Sequence, residues 1–136
     1  MKRTDNFVKH TANNPLQRFL INNFYKSLVS AVKDLEIESI LDVGCGENSV
    51  VQFFSTALQK TVGIDIFKKT IEKARRRAIH QVYVNGNVLN IDKFFKPKSF
   101  DCVLSIDVIE HFSKKQAYEL ILKMENVAKK YVLIQT

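Results

Sequence analysis

The stretch ILDVGCGENSV, residues 40–50, decides the fold class of this 136-residue chain. Its apolar start and the acidic Asp42 indicate a short buried strand that runs straight into a turn. Gly44 and Gly46 let that turn bend sharply and let a ligand come close to the backbone. A glycine turn between a strand and a helix is typical of nucleotide-binding α/β domains, because the start of the helix offers free N–H groups.

Short apolar stretches alternate with helical patterns along the rest of the chain. Apolar residues spaced by three and four predict an N-terminal helix over residues 15–35. Asn48 or Ser49 is predicted to cap a second helix that continues to about residue 58. Two more helices are expected, and the last of them begins at a Ser113–Gln116 capping box. The two later helices are predicted over residues 68–80 and 113–128. The five strands are predicted over residues 39–43, 61–65, 81–86, 100–107 and 130–135.

This alternation predicts a Rossmann-like three-layer α/β/α sandwich with one extra helix in front. The sheet should be parallel, with about five strands in the order 3-2-1-4-5. The length indicates a single domain. Residues 1–37 would form an N-terminal arm and helix, and residues 38–136 would form the cofactor-binding core.

Composition narrows the classes of function. Apolar residues make up 46% of the chain, and no apolar run approaches the roughly 20 residues of a membrane span. The start of the chain lacks the apolar stretch of a signal peptide. We therefore expect a cytoplasmic protein. Cys45 and Cys102 lack metal-ligand spacing, which favours reduced structural thiols and predicts no metal site. The net charge is +7, and the basic run at residues 73–77 is interpreted as a solvated helix face, with an anionic partner as the alternative.

Polar or glycine-rich segments follow four of the predicted strands, at residues 42–48, 65, 86–88 and 105–111. Ligands of open parallel sheets bind beyond the carboxyl ends of the strands, so these segments predict one shared site. A carboxylate at Asp42 would repel a pyrophosphate and would suit a ligand that carries a cation or an ammonium group. Ser49 stands at the sixth position of the dinucleotide fingerprint, which also disfavours a nicotinamide-dependent enzyme.

The same segments resemble the class I S-adenosylmethionine-dependent methyltransferases of the type 11 kind. The resemblance runs from about residue 40 to residue 135 through ILDVGCGENS, VGIDIFKKTIEKAR, VNGNVLNID, SFDCVLSIDVIEHF and AKKYVLIQT, in that order. It implies S-adenosylmethionine as the cofactor and S-adenosylhomocysteine as the product. Two positions depart from the family pattern: Asn48 replaces the third glycine of the first motif, and Asn87 replaces the usual acid after the third strand.

The resemblance also implies which residues contact the cofactor. The expected contacts are Asp42, Gly44, Cys45, Gly46, Asp65, Ile66, Asn87, Val88 and Ser105. The turn over residues 42–46 would cradle the methionine part, and Asp65 would accept hydrogen bonds from both ribose hydroxyls. For Asp65 the alternative is an acid that only caps the following helix.

The adenine and the methyl group would be contacted by the remaining residues. Ile66 would lie against the adenine, while the Asn87 side chain and the Val88 backbone would read its edge. Ser105 would line the floor below the methyl group. The alternative for Asn87 is a residue that serves the turn alone.

His111 is the one histidine near the predicted site and is the candidate general base. The alternative is a structural histidine at a helix start. SIDVIEH stands where methyltransferases of adenine or cytosine amino groups would carry an Asn-Pro-Pro-Tyr-like motif, and no Pro-Cys pair is present. We therefore expect a small-molecule, lipid or glycan acceptor, with O-methylation ahead of C- or N-methylation.

The family normally continues past the fifth strand with a helix and two antiparallel strands that often shape the acceptor pocket. The resemblance therefore implies that a C-terminal part is missing after Thr136. An uncovered fifth strand would favour a homodimer through that edge. An RNA or protein methyltransferase, and a non-catalytic cofactor-binding module, are the alternative functions; a nucleic-acid partner is the less favoured one.

Overall fold

The computed structural model describes residues 14–54 and 58–136, and within them one parallel sheet has the strand order β3-β2-β1-β4-β5. This confirms the predicted Rossmann-like architecture and strand order. The strands are β1 (Ser39–Val43), β2 (Lys60–Asp65), β3 (Val82–Asn85), β4 (Phe100–Ile106) and β5 (Ala128–Gln135). The helices are α1 (Pro15–Lys33), α2 (Lys68–Arg77), the single turn α3 (Ile91–Phe94) and α4 (Lys114–Val127). The predicted arm over residues 1–12 lies outside the described residues.

Two apolar clusters, one on each face of the sheet, hold the three layers together. On one face Leu41 and Val43 of β1 pack with Leu120 and Met124 of α4. On the other face the core contains Val32 of α1 together with β1 and β4 side chains, among them Ile40 and Leu104. Alternate residues of β1 therefore point to opposite layers, as expected for a strand that is buried on both faces.

Local signals start the two long helices where the sequence predicts. The Asn14 side chain accepts a hydrogen bond from the Leu16 N–H at 2.9 Å, directly before Pro15 at the first helical position. Ser113 and Gln116 form the predicted capping box of α4. None of the helices in the described part of the chain is long and apolar enough to cross a membrane.

The segment after the glycine turn differs from the prediction. Ser49 caps it, since its hydroxyl accepts a hydrogen bond from the Val51 N–H at 3.2 Å, but only a 3-10 turn follows, over Val50–Phe53. Phe54 is already extended, with φ −76° and ψ 123°, so the predicted helix is wrong up to residue 54. Residues 55–57 lie outside the described part. Val50 and Val51 are β-branched and are buried against the α1 side of the sheet, which favours a short turn over a regular helix.

Candidate cofactor site at the carboxyl edge of the sheet

The glycine turn after β1 folds back onto the end of β2. Gly44 and Gly46 both have positive φ angles, 74° and 59°, in the region that side chains beyond glycine rarely adopt. The N–H groups of Gly44 and Cys45 both donate to the Ile64 carbonyl, at 2.8 and 3.1 Å. The turn is thereby fixed over the carboxyl end of the neighbouring strand.

Gly44 is also where the segment after β4 reaches the turn. A Cβ atom added at this glycine would lie 2.4 Å from a Val108 methyl carbon, which is far inside van der Waals contact. The absence of a side chain therefore lets the carboxyl ends of β1 and β4 approach each other. This brings together two of the four segments that the sequence predicted to share a site.

Asp65 links the ends of β1 and β2. Its side chain is buried, and one carboxylate oxygen accepts a hydrogen bond from the Gly46 N–H at 3.1 Å, while the other accepts from the Phe67 N–H at 2.9 Å. Asp65 therefore contacts the backbone just before α2, but no side chain caps that helix. A carboxylate offers about four acceptor sites, so these two contacts do not by themselves exclude a ligand hydroxyl. Its contact with a ribose stays a prediction.

The end of β3 is tied to the end of β2 by Asn85, a residue that the sequence reasoning missed. The Asn85 amide donates to the carbonyl oxygens of Asp65 and Ile66, at 3.0 and 2.9 Å, and the Gly86 N–H also donates to the Asp65 carbonyl. Ile66 remains 47% exposed directly beside the buried Asp65. An exposed apolar side chain next to a buried acceptor suits a flat ring that carries a hydroxylated sugar.

Asn87 has a clear local role. Its side-chain oxygen accepts a hydrogen bond from the Leu89 N–H at 3.0 Å and caps the 3-10 turn Val88–Asn90. Asn87 therefore serves the turn, and its contact with the adenine stays a prediction. Val88 is buried, and its predicted backbone contact with the adenine stays a prediction.

Ser105 and His111 come from β4 and the turn behind it. Ser105 is fully buried beside Val43 of β1, and its hydroxyl has no hydrogen-bond partner among the residues that the structure describes. His111 is half-buried at the end of the 3-10 turn Ile109–His111, where its N–H donates to the Val108 carbonyl at 3.1 Å. Both therefore lie on the carboxyl side of β4, as predicted; their roles toward substrate are not tested by this geometry.

Asp42 is only 4% exposed, and its carboxylate is held inside the protein. One oxygen, Oδ2, accepts a hydrogen bond from the Ser49 hydroxyl and lies 3.1 Å from Nε2 of His80. Sequence reasoning missed His80, which was assigned only to the end of a helix. The signal that points to such a partner is the buried acid itself, since a buried charge needs hydrogen-bond donors.

The two cysteines are free and buried, as predicted for structural thiols. Burial raises the pKa of the Cys45 thiol far above its ordinary value, and the nearby carboxylates of Asp42 and Asp65 raise it further. Burial also raises the pKa of Cys102 to about 12. Neither thiol therefore supplies a thiolate nucleophile at neutral pH. Among residues 14–54 and 58–136 no three His, Cys, Asp or Glu side chains are grouped as a metal site would require.

Comparison with known proteins places this geometry in a family. Residues 41–133 match the methyltransferase domain family. A human protein named probable tRNA methyltransferase 9B is 28% identical over 117 residues, which cover 74% of this chain and 24% of the relative. The ubiquinone biosynthesis O-methyltransferase of Pelagibacter ubique (strain HTCC1062) is 29% identical over 119 residues, which cover 81% of this chain and 50% of the relative.

A solved structure agrees with the fold. Magnesium protoporphyrin IX methyltransferase (ChlM) from Synechocystis PCC 6803 with bound SAM superposes with a TM-score of 0.70 at 19% identity, over 96% of this chain and 70% of that one. The chain spans half or less of the length of the two relatives above. With more than half of its residues matched, the chain belongs to the methyltransferase domain family.

Proposed function

We propose that this chain is an S-adenosylmethionine-dependent methyltransferase domain that acts on a small molecule, lipid or glycan, with oxygen as the favoured acceptor atom. The observation that carries the proposal is the Gly46–Asp65 hydrogen bond of 3.1 Å, which joins the glycine turn to the buried acid at the end of β2. This contact puts a backbone turn, a carboxylate and the exposed Ile66 at one edge of the sheet. The relative that is named an O-methyltransferase supports the choice of oxygen.

The described residues fit the parts of the cofactor. In the proposal the turn after β1 holds the methionine part through Asp42, Gly44, Cys45 and Gly46. The turn begins at an acid and has no side chains at its two glycines. Asp65, with two acceptor oxygens, accepts the ribose hydroxyls. The adenine lies against Ile66, next to Asn87 and Val88, while Ser105 lies below the methyl group.

When bound, S-adenosylmethionine supplies an electrophilic methyl group on a positively charged sulfur. The protein's main task is to hold an acceptor oxygen in line with that methyl group. An imidazole nitrogen of His111 would take the proton that the acceptor hydroxyl loses as the new carbon–oxygen bond forms and the carbon–sulfur bond breaks. Because neither cysteine forms a thiolate at neutral pH, a covalent cysteine route has no nucleophile here.

Isothermal titration calorimetry with S-adenosylhomocysteine and with NAD tests the cofactor assignment. We expect binding of S-adenosylhomocysteine and no binding of NAD, since a carboxylate beside the glycine turn would repel a pyrophosphate. Absence of S-adenosylhomocysteine binding at millimolar ligand would contradict the proposal. Binding without methyl transfer to any acceptor would instead indicate a non-catalytic cofactor-binding module.

A methyl-transfer assay with phenolic and aliphatic hydroxyl acceptors tests the role of His111. We expect His111→Gln to lower kcat with S-adenosylhomocysteine affinity unchanged, because the side chain would act on the acceptor alone. Equal rates for the variant and the unmodified protein would show that His111 is structural.

An RNA acceptor is the second candidate. The observation in its favour is the row of exposed arginines at residues 75–77 on α2, which accords with the overall charge of +7, and one relative is named a probable tRNA methyltransferase. Phosphate contacts predict binding that weakens steeply with salt. A gel-shift titration of tRNA at low salt separates the candidates, with Lys114→Ala/Lys115→Ala on α4 as the control for non-specific charge. No tRNA binding at low salt would exclude this second candidate.

A further inference from the structure

His80 is buried, and residues of β2 and β3 pack around it. It is 4% exposed, its backbone N–H donates to the Tyr83 hydroxyl at 3.0 Å, and its ring meets the Tyr83 ring edge-on with centroids 5.4 Å apart. Gly63 of β2 makes room for it, since a Cβ atom there would lie 2.7 Å from the His80 ring. The imidazole is thereby fixed in the protein interior below the glycine turn.

The position of the ring proton follows from the two nitrogen environments. Nε2 lies 3.1 Å from the Asp42 carboxylate, whereas Nδ1 is buried and has no partner among the described residues. A buried N–H without an acceptor is costly, while an N–H that donates to a carboxylate is favourable. The neutral imidazole with its proton on Nε2 satisfies both conditions. Asp42 then accepts a hydrogen bond from the Nε2–H of His80.

Both donors to Asp42 use the same oxygen. The Ser49 hydroxyl and His80 Nε2 both contact Oδ2, and in the described part of the chain no group donates to Oδ1. Two donors on one oxygen prevent the carboxylate from rotating freely about its bond to the chain. Oδ1 is therefore the oxygen left for a ligand, two residues before Gly44.

We propose that His80 is a positioning residue for the cofactor: it holds the Asp42 carboxylate so that Oδ1 accepts the ammonium group of the cofactor's amino-acid part. This inference rests on the proposed function. Besides Asp42, the titratable groups that surround the imidazole are Cys45 from the turn and Tyr83 from β3. Burial raises the pKa of both above the ordinary value, so both are neutral around pH 7.

The test compares two ligands that differ only in the part that His80 serves. S-adenosylhomocysteine carries the amino-acid group, and 5′-methylthioadenosine has the same adenosine and sulfur without it. In calorimetry, His80→Leu should weaken S-adenosylhomocysteine binding by about tenfold or more and leave 5′-methylthioadenosine binding within about twofold. His80→Gln should restore much of the affinity, because its terminal amide can donate in place of Nε2. Tyr83→Phe is the matched control: it removes a contact of the His80 backbone and keeps the imidazole–carboxylate pair.

A second measurement needs no variant. The ¹⁵N chemical shifts of the His80 ring in the unmodified protein should show the Nε2–H tautomer at neutral pH and should move when S-adenosylhomocysteine binds. The Nδ1–H tautomer, or a ring that stays unchanged on binding, would overturn the inference. This result decides the matter alone if His80→Leu does not fold.

The outcomes also separate this inference from the proposed function. If the unmodified protein binds neither ligand, the proposed function itself is wrong. If it binds both and His80→Leu weakens both equally, the cofactor assignment stands and the positioning role of His80 is wrong, because the loss is then a general effect on the fold.

Discussion

Two buried carboxylates, Asp42 and Asp65, organise the carboxyl edge of the sheet residue by residue. Each spends part of its acceptor capacity on the protein: Asp42 on Ser49 and His80, and Asp65 on the N–H groups of Gly46 and Phe67. Internal hydrogen bonds of this kind fix the direction of the remaining lone pairs. A ligand that binds there meets acceptors that are already oriented, which lowers the entropic penalty of binding.

Removal of the second carboxylate should therefore weaken cofactor binding directly. We expect Asp65→Ala to lower S-adenosylhomocysteine affinity by at least about tenfold, since both ribose hydroxyls lose their acceptor and the Gly46 N–H loses its anchor. Calorimetry measures the effect, with Glu72→Ala on the exposed face of α2 as the control. An unchanged affinity would mean that the ribose lies elsewhere.

Gly44 gives a prediction about space and backbone conformation together. Gly44→Ala should lower the free energy of unfolding by about 1–3 kcal/mol, because the position has φ 74° and the added methyl would strike Val108. Val108→Ala in the same chain removes the clash and leaves the φ strain, so the double variant should recover part of the loss. Urea unfolding of the three variants measures both contributions. A fully stable Gly44→Ala protein would show that the turn can move away.

At the level of elements, Asp101 joins the beginnings of β1 and β4. Its carboxylate accepts hydrogen bonds from the N–H groups of Glu38 and Ser39, at 3.0 and 3.2 Å, and the Ser39 hydroxyl accepts from the Asp101 N–H at 2.8 Å. The two central strands are therefore tied together at the end of the sheet that lies opposite the site.

This connection makes stability depend on pH in a defined direction. The Glu38 N–H, with Lys130 and Ser39, holds the pKa of the Asp101 carboxyl below its ordinary value despite partial desolvation. A folded-state pKa below the unfolded one stabilises the protein above the unfolded pKa, and the contribution disappears as the pH falls through the folded pKa. Asp101→Ala should thus cost about 1.5–3 kcal/mol at neutral pH and much less in acid. Urea unfolding at several pH values measures it; a difference that does not depend on pH would contradict the assignment.

At the scale of the whole molecule, β5 forms one edge of the sheet. β5 is the outermost strand beyond β4, and in the described part of the chain no other strand pairs with its far side. Free strand edges promote pairing between chains. The sheet has a second edge at β3, which offers a matched comparison.

We predict that two copies of this chain associate through the β5 edges at high protein concentration. Ile134 is 37% exposed on β5, and Ile134→Lys should shift the population to monomers, because a charge on an edge strand opposes pairing. Val82→Lys, at the 52% exposed Val82 of β3, should leave the association unchanged. Sedimentation velocity over a range of concentrations measures it. A monomer at all concentrations would contradict this prediction.

Much of the fold follows from local features of the chain. The alternation of apolar strands with helical spacing, the Ser113–Gln116 capping box and the glycines after β1 each act over a few residues, so they can be recognised without knowledge of the rest. The same features brought the four site segments to one edge, because parallel strands in this order end on the same side. The helix predicted after Ser49 was wrong. Its capping residue is present, but the residues that follow are β-branched and buried.

The sequence by itself determined the architecture, the strand order and the segments that form the candidate site. Only the tertiary structure decided which atoms meet there: His80 on Asp42, Asn85 on the carbonyls of Asp65 and Ile66, and Val108 against Gly44. The physical reason is range. Periodicity, caps and turns depend on neighbouring residues, whereas these contacts join residues that are distant in the chain and depend on strand register and on the depth at which each side chain is buried.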